Sequence, residues 1–393
     1  MRKLFKENIF LIAILILASI IRLYSLSSLP ISLNPDELAI GYNSYSLLTT
    51  GKDEWGATFP LSLKSFGDWK LPVYPLVEMP FIATLGLNEF AVRLPSALAG
   101  IGSVFLIYLV SVMLFKKKSI GLFAAFFMSI SPWSVIFSRG AFEPNLGLFF
   151  LLLGVYLFQR FTEEGKLRLF TISSLIFGLT LFTYHGYDVF SPLFFLGLIF
   201  LNRKLVIKNR KSIFPIIIFF SFFLIFIFSI SSGSVGKLND LSVLNDKNNI
   251  YNRAEIFLTD RSTEPLILKK VLYNRYVSSL YQFGQNYLTT FSPSFLFDRG
   301  GVKLFYNVKG FGFMYLFEVL LLGLGIASLY WNKEKNANLI MLLFLIAPLP
   351  LAITREVPDP TRAMALLPAL ILIEGYGLNF VFEYLRKTNY LRS

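Results

Sequence analysis

Two adjacent carboxylates, Asp36 and Glu37, are the clearest candidates for chemistry in this 393-residue sequence. They follow the first apolar segment and come directly after Pro35. A carboxylate at such a position can take a proton from an attacking hydroxyl group. The alternative is structural, because proline followed by two acids is also typical of the first turn of a helix. The two interpretations are compatible.

Other ionisable residues are concentrated where apolar segments begin or end. They are Arg22, Arg93, Arg139, Glu143, His185, Arg355, Glu356, Asp359 and Arg362. Charged groups at a membrane boundary are costly to desolvate, which makes them default functional candidates. Arginine is suited to anions because its planar fork stays charged and matches paired oxygens. Arg93, Arg139 and Arg362 are therefore candidate anion-binding residues.

Each of these residues also has a structural interpretation. Arg22 would reach the interface from the end of the first helix, and Arg93 would anchor a helix there. Arg139 and Glu143 are four residues apart, a spacing that allows a structural ion pair. The charges of segment 355–362 would pair within their own loop.

His185 is the single histidine, and the chain has no cysteine. The absence of cysteine excludes disulfides, thiol catalysis and a cysteine-ligated metal. One histidine without a partner at fixed spacing does not define a metal site. We therefore predict no metal ligands, and we expect His185 to be an interfacial or hydrogen-bonded supporting residue.

The composition indicates a protein that lies in lipid. Hydrophobic residues make up 55% and charged residues 16% of the chain, and the mean hydropathy is +0.61. Disordered chains have the opposite composition, and a soluble domain could not hide this much apolar surface. Spanning helices need about 20 mostly apolar residues. The candidates are 8–24, 93–115, 119–138, 144–160, 168–184, 187–201, 212–231, 311–331, 337–354 and 363–385.

These segments predict an all-α polytopic membrane protein with about ten transmembrane helices and extracytoplasmic loop helices. The first segment is not predicted to be a cleaved signal peptide, because it lacks a small-residue cleavage site and Arg22 follows it directly. Three parts are predicted. They are a transmembrane module over 1–231 that contains the first outer loop 25–92, an outer loop region over 232–310 with a helical piece near 264–282, and C-terminal transmembrane helices over 311–393.

The formal net charge of +13 is explained by topology. Lysine and arginine are concentrated in loops at alternate ends of the predicted helices, for example Lys116 to Lys118 and Arg203 to Lys211. The positive-inside rule places these loops and both termini in the cytoplasm, so that 25–92 and 232–310 lie outside. The basic excess therefore does not require a nucleic-acid partner. We expect a multi-pass protein of the plasma membrane.

A set of motifs in a fixed order carries a family resemblance. They are Arg22-Leu23-Tyr24, Asp36-Glu37, Gly41-Tyr42-Asn43, Pro72-Val73-Tyr74-Pro75, Arg93-Leu94-Pro95-Ser96, Ser131-Pro132, and Ser138-Arg139 followed by Glu143. The chain resembles the protein O-mannosyltransferase and aminoarabinose-transferase branch of the GT-C superfamily. These glycosyltransferases use polyprenyl-phosphate sugars, and for the donor phosphate that the resemblance implies the candidate ligands are Arg93, Arg139 and Arg362. The resemblance covers about residues 8–200 and returns at Arg362 with Leu366-Leu367-Pro368.

The resemblance implies roles for individual residues. Asp36 looks like the catalytic acid of the first outer loop, with Glu37 as its companion. Glu143 occupies the place of a second acidic residue, which is usually aspartate. Arg362 looks like the basic residue that approaches the lipid phosphate, while Arg93 and Arg22 look like the arginines that flank the first outer loop. Some relatives in the aminoarabinose branch hold a metal with His and Glu, so the resemblance leaves a divalent metal open while no cofactor is required.

The implied activity is sugar transfer from a polyprenyl-phosphate donor to an acceptor hydroxyl of a glycan, lipid or protein on the extracytoplasmic face. The family favours a hexose or pentose. With Asp36 as base, a single displacement would invert the anomeric carbon, by analogy with inverting hydrolases. Three rivals remain. A transporter or flippase would need charges at mid-membrane depth, an O-antigen ligase or polymerase would use a diphosphate-linked glycan, and a scaffold would need no carboxylate beside arginines.

Overall fold

The computed structural model describes residues 2–66, 68–231, 242–245, 274–334 and 336–390, together with residues 255 and 259. Helices dominate the described part of the chain. They are α1 (Arg2–Leu23), α2 (Pro35–Thr50), α3 (Val73–Leu85), α4 (Glu89–Phe115), α5 (Lys118–Ile130), α6 (Pro132–Ser138), α7 (Glu143–Glu164), α8 (Leu167–Leu181), α9 (Gly186–Leu201), α10 (Arg203–Lys208), α11 (Ile213–Ser231), α12 (Arg275–Thr289), α13 (Glu318–Trp331), α14 (Ala337–Ile346), α15 (Leu349–Ala352) and α16 (Leu367–Tyr390).

The first outer loop, 25–92, contains α2, α3 and a β-hairpin between them. Strands β1 (Leu63–Ser65) and β2 (Asp68–Lys70) pair antiparallel, with Leu63 opposite Lys70. The sequence did not predict this hairpin, because three-residue strands are too short to show an alternating pattern. The hairpin places Lys70 beside the N-terminus of α2.

Each predicted spanning segment overlaps a helix, but the structure does not confirm a count of ten. Four helical stretches within the described residues are long and apolar enough to cross a membrane: Glu89–Phe115, Glu143–Glu164, Arg210–Ser229 and Met364–Thr388. The pair α5 and α6, bent by 56°, would form a fifth. Six further apolar helices are shorter: Asn8–Leu23, Val73–Leu85, Leu167–Leu181, Gly186–Leu201, Glu318–Trp331 and Ala337–Ala352.

Predicted segment 119–138 is broken at Ser131, where the hydroxyl caps α6 and Pro132 occupies its first turn. Proline cannot continue the preceding helix, because it lacks the amide hydrogen and its ring clashes with the earlier turn. Segment 311–331 becomes helical only at Glu318.

Region 232–310 is described in part and contains α12 and short turns at Ser294–Asp298 and Leu304–Tyr306. The helical piece predicted near 264–282 is described from residue 274 onward, and α12 covers that part. The rest of the predicted piece lies outside the described residues.

Helix α4 packs against α1, α3, α5 and α7, and α16 packs against α5 and α13. Residues from the loops that follow the odd-numbered predicted spans line one cavity, so these loops meet at one end of the bundle. That end holds the ionisable residues described next.

Candidate active site

A cavity of about 750 Å³ lies where the first outer loop, the start of α7, the turn between α8 and α9, and loop 354–362 meet. This volume is within the usual range for small-molecule sites, about 300–1,000 Å³. Its ionisable lining residues are Asp36, Asp68, Lys70, Glu143, His185, Lys303, Glu356, Asp359 and Arg362. Trp69, Phe142, Tyr184 and Tyr306 add aromatic rings.

Asp36 lies on the first-loop side of this cavity. It occupies the second position of α2, and its carboxylate accepts a hydrogen bond from Lys70 Nζ at 2.5 Å. The Asp36 side chain is 44% exposed, whereas that of Lys70 is 8% exposed. Burial disfavours the Lys70 ammonium, but the charges of Glu143 and Asp36 outweigh that cost and raise the Lys70 pKa. Asp36 is therefore a solvent-accessible carboxylate with a buried, positively charged partner.

Arg362 lines the same cavity from the loop before α16. Its Nη1 donates to Thr354 Oγ1 at 2.9 Å. Glu356 Oε2 lies 3.7 Å from Nη2, and Asp359 Oδ2 lies 4.0 Å from Nε. Lys303 approaches the same two carboxylates, at 3.3 and 3.8 Å. Arg362, Glu356 and Asp359 thus pair within their own loop, and all three line the cavity.

The turn between α8 and α9 completes the wall beside Arg362. The hydroxyl groups of Tyr184 and Thr361 are 2.7 Å apart. A Cβ atom at Gly186 would lie 3.6 Å from Arg362 Cα, so this position brings the two turns into close contact. His185 Nδ1 lies 2.8 Å from Asp188 Oδ2.

Tyr306 is a further polar group of the lining. Burial, reinforced by the nearby charge of Asp36, raises the Tyr306 pKa far above its ordinary value. The phenol therefore stays neutral and can donate a hydrogen bond. Aromatic rings with a polar end suit a ligand that has both apolar and hydroxylated faces.

The structure brings together four of the predicted site residues: Asp36, Glu143, His185 and Arg362. It places the other four, Glu37, Arg22, Arg93 and Arg139, outside the lining of this cavity.

Glu37 and Arg93 form a buried ion pair that shapes the first outer loop. Arg93 Nε donates to Glu37 at 3.0 Å, and its other nitrogens donate to the carbonyl groups of Leu26, Pro30 and Ser32. Glu37 also forms a capping box with Asn34. The helix N-terminus interpretation of the acidic pair is thus correct for Glu37.

Arg22 and Arg139 bind main-chain carbonyl groups at helix ends. Arg22 is fully buried and donates to the carbonyls of Met128 and Ser129 at the end of α5. It also donates to the hydroxyls of Ser134 and Ser138 in α6. Arg139 donates to the carbonyls of Ile21, Tyr24 and Leu29, at and beyond the end of α1. These bonds satisfy helix-end acceptors that would otherwise lack partners.

Sequence reasoning missed Lys70, Lys303 and Tyr306. No motif marked them, because each reaches the cavity through a short hairpin or a turn rather than through a periodic element. A weak signal for Lys70 was its position just before the Pro72-Val73-Tyr74-Pro75 motif. Lys303 and Tyr306 lie in region 232–310, where the resemblance is loose.

No group of three or more His, Asp or Glu residues able to hold a metal ion occurs among the residues that the structure describes. His185 and Asp188 form a pair without a third such ligand, so the described side chains do not fit a resident metal site of the usual composition.

Comparisons with known proteins agree with this architecture. Residues 71–229 match the sequence model of the dolichyl-phosphate-mannose-protein mannosyltransferase family. The archaeal oligosaccharyltransferase AglB from Archaeoglobus fulgidus, solved with an inhibitory peptide and a dolichol-phosphate, superposes with a TM-score of 0.56 over 98% of this chain. ArnT from Cupriavidus metallidurans, solved with undecaprenyl phosphate, superposes with a TM-score of 0.53 over 95% of this chain. The chain has a GT-C fold.

The GT-C resemblance predicted from the sequence is thereby confirmed. Identity to the two solved structures is 13% and 12%, and the chain covers 52% and 60% of their lengths. YkcB of Bacillus subtilis, which carries the name of a mannosyltransferase, is 36% identical over 98 residues, or 25% of this chain and 14% of its own length. YycA of the same organism is 35% identical over 98 residues. A structure of the Archaeoglobus fulgidus oligosaccharyltransferase was solved in complex with zinc and sulfate.

Proposed function

We propose that this protein is a membrane glycosyltransferase that moves a sugar from a polyprenyl-phosphate donor to an acceptor hydroxyl group. The family match and the GT-C fold support the class of enzyme. The observation that carries the proposal is the meeting of Asp36, Glu143 and Arg362 around one cavity, although they are far apart in sequence.

Asp36 is the proposed base. It is the more accessible of the two adjacent carboxylates, while Glu37 is committed to Arg93 and to the helix cap. In the proposed reaction the acceptor hydroxyl loses its proton to Asp36 as its oxygen attacks the anomeric carbon. The bond from that carbon to the phosphate oxygen breaks, and the electron pair leaves with polyprenyl phosphate. One displacement would invert the anomeric centre. Glu143 would orient the acceptor.

Arg362 is the proposed ligand of the donor phosphate. The leaving group is a stable anion, so catalysis depends on cations that stabilise its growing charge rather than on a strong acid. Lys303 lies on the same side and would add positive charge. The reaction exchanges one C–O bond for another, so it requires no redox cofactor.

Four residues are proposed to act at a distance from the reacting atoms: Glu37, Arg93, Arg139 and Arg22. Arg93 fixes the path of the loop over 26–32, and Glu37 fixes the start of α2. Arg22 and Arg139 hold α1 against the break between α5 and α6. Together these bonds position Asp36 on a rigid support, as a precise active site requires.

The proposed location is the plasma membrane, with both termini in the cytoplasm and the cavity on the extracytoplasmic side. The alternating basic loops support this orientation. The five shorter apolar helices outside the first outer loop are proposed to cross the membrane as well, which would give ten spans when α5 and α6 count as one. The acceptor is a glycan, lipid or protein, and the donor sugar is a hexose or pentose.

Replacing Arg362 by Gln should raise the KM for a polyprenyl-phosphate sugar by at least about tenfold, because a charge-assisted contact to phosphate contributes about 1.5–3 kcal/mol. Steady-state kinetics on purified protein measure this. Arg355→Gln is the matched control, since Arg355 belongs to the same loop but does not line the cavity. An unchanged KM in Arg362→Gln would remove Arg362 from the donor site.

A further inference from the structure

His185 contains an unusual polar atom for its position. Its Nε2 is buried and has no hydrogen-bond partner. Several other buried polar atoms among the described residues also lack partners, but His185 is the one residue of that set that lines the cavity. Burying a polar atom without a partner is unfavourable. A ligand in the cavity that His185 lines would supply the missing partner.

The orientation of the ring is fixed from its other side. Asp188 Oδ2 lies 2.8 Å from Nδ1, and the Asp188 side chain is only 7% exposed. A carboxylate bonded to one ring nitrogen holds the ring in one orientation. Nε2 is therefore the nitrogen that remains for a ligand.

The surroundings indicate an anionic ligand. Gly186 packs against the backbone of Arg362, which places His185 on the same cavity wall as that residue. Glu356 and Asp359 lie within 4.0 Å of the Arg362 guanidinium and balance much of its charge. A phosphodiester at Arg362 would need another donor, and a protonated imidazole is a suitable one.

We propose that His185 Nε2 is a second ligand of the donor phosphate and delivers a proton to the departing polyprenyl phosphate. This inference rests on the proposed function. As the anomeric C–O bond breaks, its electron pair passes to the phosphate oxygen, and the Nε2 proton follows to that oxygen. The acceptor proton goes to Asp36, and water then returns a proton from Asp36 to His185. Charge and protons balance, and Asp188 acts as the positioning residue.

The test is equilibrium binding of radiolabelled undecaprenyl phosphate to the purified full chain in detergent, with undecaprenol as the neutral control. His185→Asn places an amide near Nδ1, toward Asp188, and leaves nothing at Nε2. His185→Gln extends an amide toward the Nε2 position. We expect His185→Asn to weaken the binding of undecaprenyl phosphate by about tenfold. His185→Gln should weaken it by clearly less. Neither variant should alter the binding of undecaprenol.

Arg362→Gln separates this inference from the proposed function. Weaker phosphate binding in Arg362→Gln, together with unchanged binding in both His185 variants, would overturn the role of His185 and leave the donor site in place. An equal loss of binding affinity for undecaprenol and undecaprenyl phosphate in His185→Asn would also overturn the proposed role. That result would be expected if His185 only supports the fold. Failure of the unsubstituted protein to bind undecaprenyl phosphate would reject both proposals.

Discussion

Replacing Asp36 by Asn should lower the rate of sugar transfer by about a thousandfold, because a positioned general base contributes about 10²–10⁴-fold. Asparagine is nearly isosteric and can still accept from Lys70, but it cannot take the acceptor proton. Donor affinity should change little, since Arg362 rather than Asp36 is the proposed ligand of the donor phosphate. Single-turnover transfer from a radiolabelled donor, with donor binding measured separately, gives both values.

Asp68→Asn is the matched control for Asp36→Asn. Asp68 lines the same cavity and accepts from the backbone of Trp69 at 2.8 Å, a bond that asparagine can keep. Asp68→Asn should retain most of the transfer activity. Equal activity in Asp36→Asn and the unsubstituted protein would reject Asp36 as the base and turn attention to Glu143.

Replacing Arg93 by Met should lower the free energy of unfolding by about 3–5 kcal/mol, the usual cost of breaking a buried ion pair from one side. The substitution leaves the Glu37 carboxylate, 2% exposed, without its cation. It also removes the donors to Leu26, Pro30 and Ser32. Urea unfolding in detergent, followed by circular dichroism, measures the change.

Arg139→Met is the comparison for Arg93→Met, because Arg139 also binds three carbonyls but has no carboxylate partner among those bonds and lies partly exposed. Arg139→Met should lower the free energy of unfolding by less than Arg93→Met does. The double variant Glu37→Gln/Arg93→Met should be less destabilised than the sum of the two single variants, since neighbouring partners are not additive. Additive losses of unfolding free energy would show that the interaction between Glu37 and Arg93 contributes little to stability.

The helices could be read from the sequence because lipid forces long apolar segments into a helical form. Their exact limits depended on tertiary features. Pro132 breaks one predicted span, and the break is stable because Arg22, more than a hundred residues earlier, supplies donors to the end of α5. Hydropathy cannot predict this contact between Arg22 and the end of α5. The β1–β2 hairpin was not predicted for a different reason, because strands of three residues are too short to show an alternating pattern.

The site was only partly predictable. Asp36, Glu143, His185 and Arg362 could be selected as charged groups at apolar boundaries, and they lie together. Arg93 and Arg139 satisfy the same criterion, yet their donors are directed to backbone carbonyls and to Glu37. Residue type and depth cannot separate an arginine that positions a loop from one that faces a ligand. That distinction requires knowing which carbonyls lie within reach.

The most direct test of the proposed function is turnover of a panel of radiolabelled polyprenyl-phosphate sugars by the purified protein in detergent. The proposed function predicts transfer of at least one hexose or pentose and release of free polyprenyl phosphate in equal amount. Release of a polyprenyl diphosphate from a diphosphate-linked glycan would favour a ligase or polymerase. No turnover of any donor, combined with movement of the donor across liposomes that contain the protein, would contradict the enzyme and favour a transporter.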